Sequence, residues 1–201
     1  TGKYPASSGV TQYNFNFDFT TFFDELEKLG YNLYSCVTDL LMFKKITKNF
    51  KQNLEYIYGG TNSYPHLDND LGSKILKNFL NKKMDEPWMF YCHLMDLKDP
   101  TVSTKNFDDK KFGKTAYDKN LSVLDTWIGK FLEYIDLTNT LFVIVADHSH
   151  NSPRGWRLAQ KERFKIPMLW FGEVLKQNYK GHKWDKLSSH IDITPTILLQ
   201  L

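Results

Sequence analysis

Phe19, Phe22, Phe23, Leu26 and Leu29 recur at helical spacing, and Gly30 is placed to end the helix they predict. The next run, Asn32 to Val37 (NLYSCV), reads as a strand. The lysine-rich residues 39–60 are read as helix plus loop, with the Gly59-Gly60 pair as a break. A second amphipathic helix is predicted over residues 70–83 through Leu71, Ile75, Phe79 and Leu80. Trp88 to Met95 (WMFYCHLM) is too apolar and aromatic for a surface strand and belongs in a sheet interior.

Residues 99–114 are polar and lysine-rich, a surface loop. The longest predicted helix runs from about Tyr117 to Ile135, with Leu121, Leu124, Ile128, Phe131, Leu132 and Ile135 on one face. It leads into Val143 to His150 (VIVADHSH), whose apolar start has the pattern of a buried parallel strand. Lys165 to Gly172 (KIPMLWFG) predicts the last strand, and Thr194-Pro195 reads as the N-cap and first residue of a closing helix. Helices alternating with strands give an α/β fold, a mostly parallel central sheet with helices on both faces. No internal repeat or second domain is visible, so residues 1–201 are read as a single domain.

The chain has 201 residues, 41% hydrophobic and 15% aromatic, enough for a folded domain with a sizeable core. No apolar run approaches the ~20 residues of a membrane span. The net charge of +3 comes from 26 basic and 23 acidic residues mixed along the sequence. That pattern argues against a nucleic-acid partner and supports at most a modest preference for anionic substrates. Cys36 and Cys92 lie inside predicted strands and read as small core hydrophobes, with a disulfide between them left open. The chain starts at Thr1 without a methionine and stops at Leu201 inside a helical pattern, which predicts an incomplete domain.

The candidate chemistry sits at the end of VIVADHSH. A carboxylate oxygen and an imidazole nitrogen are both good donors to a divalent cation, and ligands collect beyond strand carboxyl ends. Asp147 and His148 are therefore the candidate metal ligands, against a plainer reading as a capped turn with a surface histidine. His93, within a strand, reads as a packed sheet histidine, while His66 and His182 stand in no pattern.

Seven segments, in order, resemble the sulfatase branch of the alkaline-phosphatase-like superfamily. These are TGKYPASSGV, FFDELEKLGYNLYSCV, PWMFYCHLMDLKDP, YDKNLSVLDTWIGKFLEYI, VIVADHSH, FKIPMLWFG and HIDITPTIL. Together they cover nearly the whole chain. The resemblance implies a partial, alkaline-phosphatase-like catalytic domain whose nucleophile and amino-terminal metal ligands lie upstream of Thr1, so the 201 residues alone are expected to be inert. It implies one divalent cation at Asp147 and His148, calcium first, with manganese or zinc as alternatives. Small-molecule or glycan sulfate or phosphate esters are the implied substrates; the family suggests a secreted or periplasmic location, while the sequence itself assigns no compartment.

Lys98 stands where the family's Asp-x-His-x-Pro histidine would contact the ester or protonate the leaving group. A lysine keeps a cationic donor, but with an ordinary pKa of ~10.4 it is a poor acid at neutral pH. Asp96 either orients that loop or caps its turn. In the segment after the Asp-His pair, His150, Arg154 and Arg157 are candidates to hold the transferred group, arginine by its bidentate fork. Asp192 reads as structural and His190 as a candidate substrate contact. The family's Lys-x-His element is not seen at Val37 to Leu41.

Hydrolysis of sulfate esters by the full-length protein is the leading functional reading. Its rivals are a phosphoethanolamine- or phosphoglycerol-type phosphotransferase or phosphodiesterase, and a non-catalytic homologue that binds anions or glycans.

Overall fold

The computed structural model describes residues 20–37, 54–59, 69–94, 97, 115–149 and 164–200. These fall into two compact units, one drawn from 1–131 and 188–199, the other from 132–187 with Gln200. The division lies inside what the sequence reads as one partial domain.

The first unit is built on three parallel strands, β1 (Asn32–Val37), β2 (Leu54–Gly59) and β3 (Trp88–His93), in the order β2-β1-β3. Strand β1 therefore has partners on both edges, and Leu33, Tyr34, Ser35 and Cys36 are all at most 4% exposed. Strand β2 falls where the sequence reads helix plus loop. Glu55 and the surrounding lysines hide the aromatic and β-branched character of LEYIYG, which pairs with β1 from Leu33↔Leu54 to Val37↔Gly59. Strand β3 matches its predicted position, but among the described residues it is an edge of this sheet, half-buried along its length.

Helix α1 (Phe22–Lys28) forms where the Phe22, Phe23 and Leu26 spacing predicts it. Its start is fixed by a reciprocal cap. The Asp24 carboxylate accepts from the Thr21 N–H and hydroxyl, both at 2.7 Å, and the Asp24 N–H donates back to Thr21 Oγ1 at 3.2 Å. Its end is a Schellman turn, with Tyr31 N donating to Leu26 O at 3.0 Å and Gly30 N to Glu27 O at 2.9 Å. That turn needs a residue at φ +84°, which glycine adopts without strain. Leu29 consequently falls off the buried stripe and is exposed.

Successive residues of a strand face opposite ways, so ring contacts from Phe90 and Tyr91 report the two faces of the sheet. Phe23 of α1 meets Tyr91 edge-on at 5.9 Å. On the other face, Phe79 of α2 (Asn69–Asn81) lies 5.0 Å from Phe90 and 4.5 Å from Phe131 of α3 (Ala116–Leu132). Trp127 stacks on Phe131 at 5.3 Å and Trp88 closes on Phe79 at 6.4 Å. Such pairs contribute about 0.5–1.5 kcal/mol each beyond area burial. Helices thus cover both faces of the parallel sheet, as the sequence predicts. The buried face of α3 runs through Asn120, Trp127 and Phe131, so Leu121 is exposed rather than part of the stripe. Cys36 and Cys92 are register partners on adjacent strands and form no disulfide.

The closing helix α4 (Ile193–Leu198) starts one residue before Thr194. It continues a short 3₁₀ turn, His190–Asp192, whose Asp192 carboxylate accepts from Ser189 N at 2.7 Å. Asp192 is therefore structural, as read from the sequence. Thr194 is not the N-cap, and Pro195 sits third in the helix, still within the turn where an absent N–H costs nothing.

The second unit holds β4 (Phe142–Val145) and β5 (Met168–Phe171), joined antiparallel with the pairs Phe142↔Phe171 through Val145↔Met168. The expectation of a buried parallel strand at Val143 is thus corrected in two respects: the ladder runs antiparallel, and Val145 is exposed. An apolar run carries no sign of strand direction, and it does not guarantee burial at every position, least of all at a strand's end. Gly172 lets the chain leaving β5 pass the preceding turn. At φ +125°, an added Cβ there would stand 2.2 Å from the Thr140 carbonyl oxygen, and Glu173 N donates to Leu137 O at 2.8 Å.

Helix α3 also begins with a reciprocal cap, in which Asp118 accepts from Thr115 Oγ1 at 2.6 Å and Thr115 N at 3.2 Å. The hydroxyl first, then the backbone N–H, hold the Asp118 carboxyl below its ordinary 3.8. The unfolded chain then binds more protons between the two values. The contribution is complete above the ordinary value and is lost as pH falls through the folded one. The stability difference between the native chain and Asp118→Asn, followed by denaturant unfolding, is expected to shrink as pH drops from 6 toward 2. A difference that stays constant over that range contradicts this role.

Candidate functional site

Strand β4 ends at Val145 and delivers Asp147 and His148 after one intervening residue, Ala146. The ladder extends through Ala146 N, which donates to Pro167 O at 3.4 Å, and the chain then bends at the Asp-His pair. Both side chains stand in the open, 78% exposed for Asp147 and 58% for His148. They are nevertheless held by local bonds. Asp147 Oδ1 accepts from the His148 N–H at 2.8 Å, and His148 Nδ1 lies 2.8 Å from the Ser149 carbonyl oxygen.

A carbonyl oxygen can only accept, so in the neutral imidazole Nδ1 carries the proton and Nε2 keeps its lone pair. Nε2 faces Asp147 Oδ2 at 3.4 Å. Two lone pairs opposed at that distance repel unless a cation sits against both. A proton on Nε2 would make the pair an ion pair, and a divalent cation would make it a two-donor chelate. The separation suits the latter. Donors about 2.1 Å from a tetrahedral zinc, or about 2.4 Å from a calcium at a right angle, are themselves about 3.4 Å apart. The residues fit a divalent cation, therefore, without selecting which one. Among the described residues no group of three His, Cys, Asp or Glu side chains is placed to hold a metal, so the pair by itself would offer a cation two donors.

Asp147 and His148 belong to the second unit. Lys98, Arg154, Arg157, His150, Asp96 and His66 lie outside the described residues. In the first unit, His93 is half-buried on β3 and stacks on Tyr91 with rings 6.4 Å apart and nearly parallel, a packed sheet histidine as expected. His190 sits in the turn before α4. His182 packs edge-on to Trp184 at 5.9 Å, a contact that no sequence pattern signals. The Ser149 carbonyl is the functional group the sequence reading missed: it sets the imidazole tautomer through a backbone atom, which side-chain identity cannot announce.

The architecture is that of the alkaline phosphatase superfamily. A solved protein of that superfamily from Vibrio parahaemolyticus is similar over 90% of this chain and 47% of its own, with a TM-score of 0.63 at 22% identity. That likeness is one of fold. The family is fixed separately, because the Sulfatase family model matches residues 1–201: the chain belongs to the sulfatase family, as its seven motifs indicate. An uncharacterized protein of Haemophilus influenzae strain Rd is 26% identical over 137 residues, which are 65% of this chain and 20% of that protein. The chain thus spans a fifth of the length of this curated relative and about half of the solved one.

The tautomer is directly measurable. Nitrogen-15 NMR of neutral His148 is expected to show the proton on Nδ1. A dominant Nε2–H form would contradict the hydrogen bond to Ser149 and the donor pair built on it.

Proposed function

We propose that residues 1–201 are part of one catalytic domain that hydrolyses sulfate esters in the full-length protein, with a divalent cation, calcium first and manganese or zinc as alternatives, held by Asp147 and His148. The observation that carries this reading is the opposition of His148 Nε2 and Asp147 Oδ2 at 3.4 Å on an open turn beyond a strand end. Membership of the sulfatase family supports the reaction class.

Each residue has a definable task. The Ser149 carbonyl holds the imidazole in the tautomer that presents Nε2, and the His148 N–H turns the Asp147 carboxylate so that Oδ2 stands beside it. A bound cation would draw negative charge from the ester oxygens and favour an ionised nucleophile. Lys98, Arg154 and Arg157 are assigned to the ester anion. The arginines offer a planar fork that matches two sulfate oxygens, and Lys98 offers a point charge. With lysine in place of histidine, transfer of a proton to the leaving group at neutral pH falls to another group or to water.

The test uses full-length protein with p-nitrophenyl sulfate and p-nitrophenyl phosphate, before and after chelation. Sulfate hydrolysis is expected, lost with chelator, restored by a divalent cation and lowered about 100-fold or more in His148→Ala. Cation-dependent cleavage of the phosphate ester alone would replace this reading with the phosphotransferase or phosphodiesterase one. Hydrolysis of sulfate unaffected by chelation and by His148→Ala would overturn the metal assignment.

A further inference from the structure

The loop after β5 carries a surface that the catalytic reading leaves unused. A 3₁₀ turn at Gln177–Tyr179 is followed by Gly181 at φ +66°, and His182 N donates to Tyr179 O at 3.2 Å. This reversal brings Trp184 back to Tyr179, with rings 6.4 Å apart and edge-on. His182 meets the same indole at 5.9 Å, and Lys186 Nζ stands 5.3 Å over its ring. The cluster is presented to solvent: Trp184 is 54% exposed, Tyr179 46% and the adjoining Leu187 102%.

Charge gives the surface its sign. Residues 174–187 hold four lysines, 176, 180, 183 and 186, against the single acid Asp185. Lys180 is paired with Glu173, whereas Lys176, Lys183 and Lys186 make no ion pair among the described residues. Residues 174–187 thus present a tryptophan, a tyrosine and a fully exposed leucine beside these lysines, an apolar and cationic combination of the kind that marks an interaction surface. Tryptophan and tyrosine prefer the headgroup layer, where the ring is buried and its polar edge stays wet, and lysine is drawn to anionic lipid.

We propose that residues 174–187 form a peripheral docking surface for an anionic lipid bilayer, Trp184, Tyr179 and Leu187 entering the headgroup layer and Lys176, Lys183 and Lys186 facing the lipid charge. An acidic glycan would satisfy the lysines and could stack on the indole. It has no use for the exposed aliphatic side chain of Leu187, which is why the bilayer is preferred. No helix among the described residues is long and apolar enough to cross a membrane, so the contact proposed is with one leaflet.

Co-sedimentation of the full chain with vesicles tests this, using phosphatidylcholine alone and phosphatidylcholine with about a third phosphatidylserine. Binding to the anionic vesicles is expected, weakened by high salt and lowered at least about tenfold both in Trp184→Ser/Leu187→Ser and in Lys176→Gln/Lys183→Gln/Lys186→Gln. All five positions are on the surface, and circular dichroism of each variant checks that it folds. No anionic-vesicle binding, equal binding to neutral vesicles, or binding unchanged in either variant overturns the proposal. Retention by heparin beads without vesicle binding also overturns it, in favour of an acidic glycan.

Discussion

Four successive buried residues in β1, Leu33 to Cys36, impose the constraint on which the parallel sheet depends. Alternate side chains leave a strand on opposite faces, so such a segment is stable only with cover above and below and hydrogen-bonded neighbours on both edges. Strands β2 and β3 supply the edges. Phe23 over Tyr91 supplies one face, and Phe79 with Phe131 over Phe90 supplies the other. Parallel pairing then requires long crossovers, which puts helices between strands and leaves the strand ends for loops. An α/β chain of this kind gathers its chemistry at such ends.

The Asp147-His148 pair follows the same logic on a smaller element. A short strand fixes where the chain emerges, and three backbone groups finish the arrangement: Ala146 N on Pro167 O, His148 N on Asp147 Oδ1, and Ser149 O at His148 Nδ1. With the side chains largely exposed, little packing holds them, so local hydrogen bonds account for their mutual orientation. That leaves His148 Nε2 and Asp147 Oδ2 3.4 Å apart on an open turn.

Much of this is legible in the residues. NLYSCV and WMFYCH are strands because their apolar and aromatic density fits a covered sheet, and FFDELEK is a helix because its apolar residues fall on one side between a threonine cap and a glycine stop. Strand β2 was hidden by Glu55 and nearby lysines, since its pairing with β1 is a tertiary fact that local composition does not carry. The direction of β4 was equally illegible: FVIV reads the same in a parallel or antiparallel ladder. The place of Asp147 and His148 just past a strand end could be read from the sequence pattern. The His148 tautomer could not, because the group that sets it is a carbonyl, the same in every residue.

The claim that Asp147 and His148 hold a divalent cation is tested most directly by titrating metal-depleted full-length protein with calcium, manganese and zinc in a calorimeter. One cation at this centre is expected, with affinity lowered about 100-fold or more in both Asp147→Asn and His148→Ala. Affinity for all three ions that is absent from the native protein, or unchanged in both variants, would contradict it.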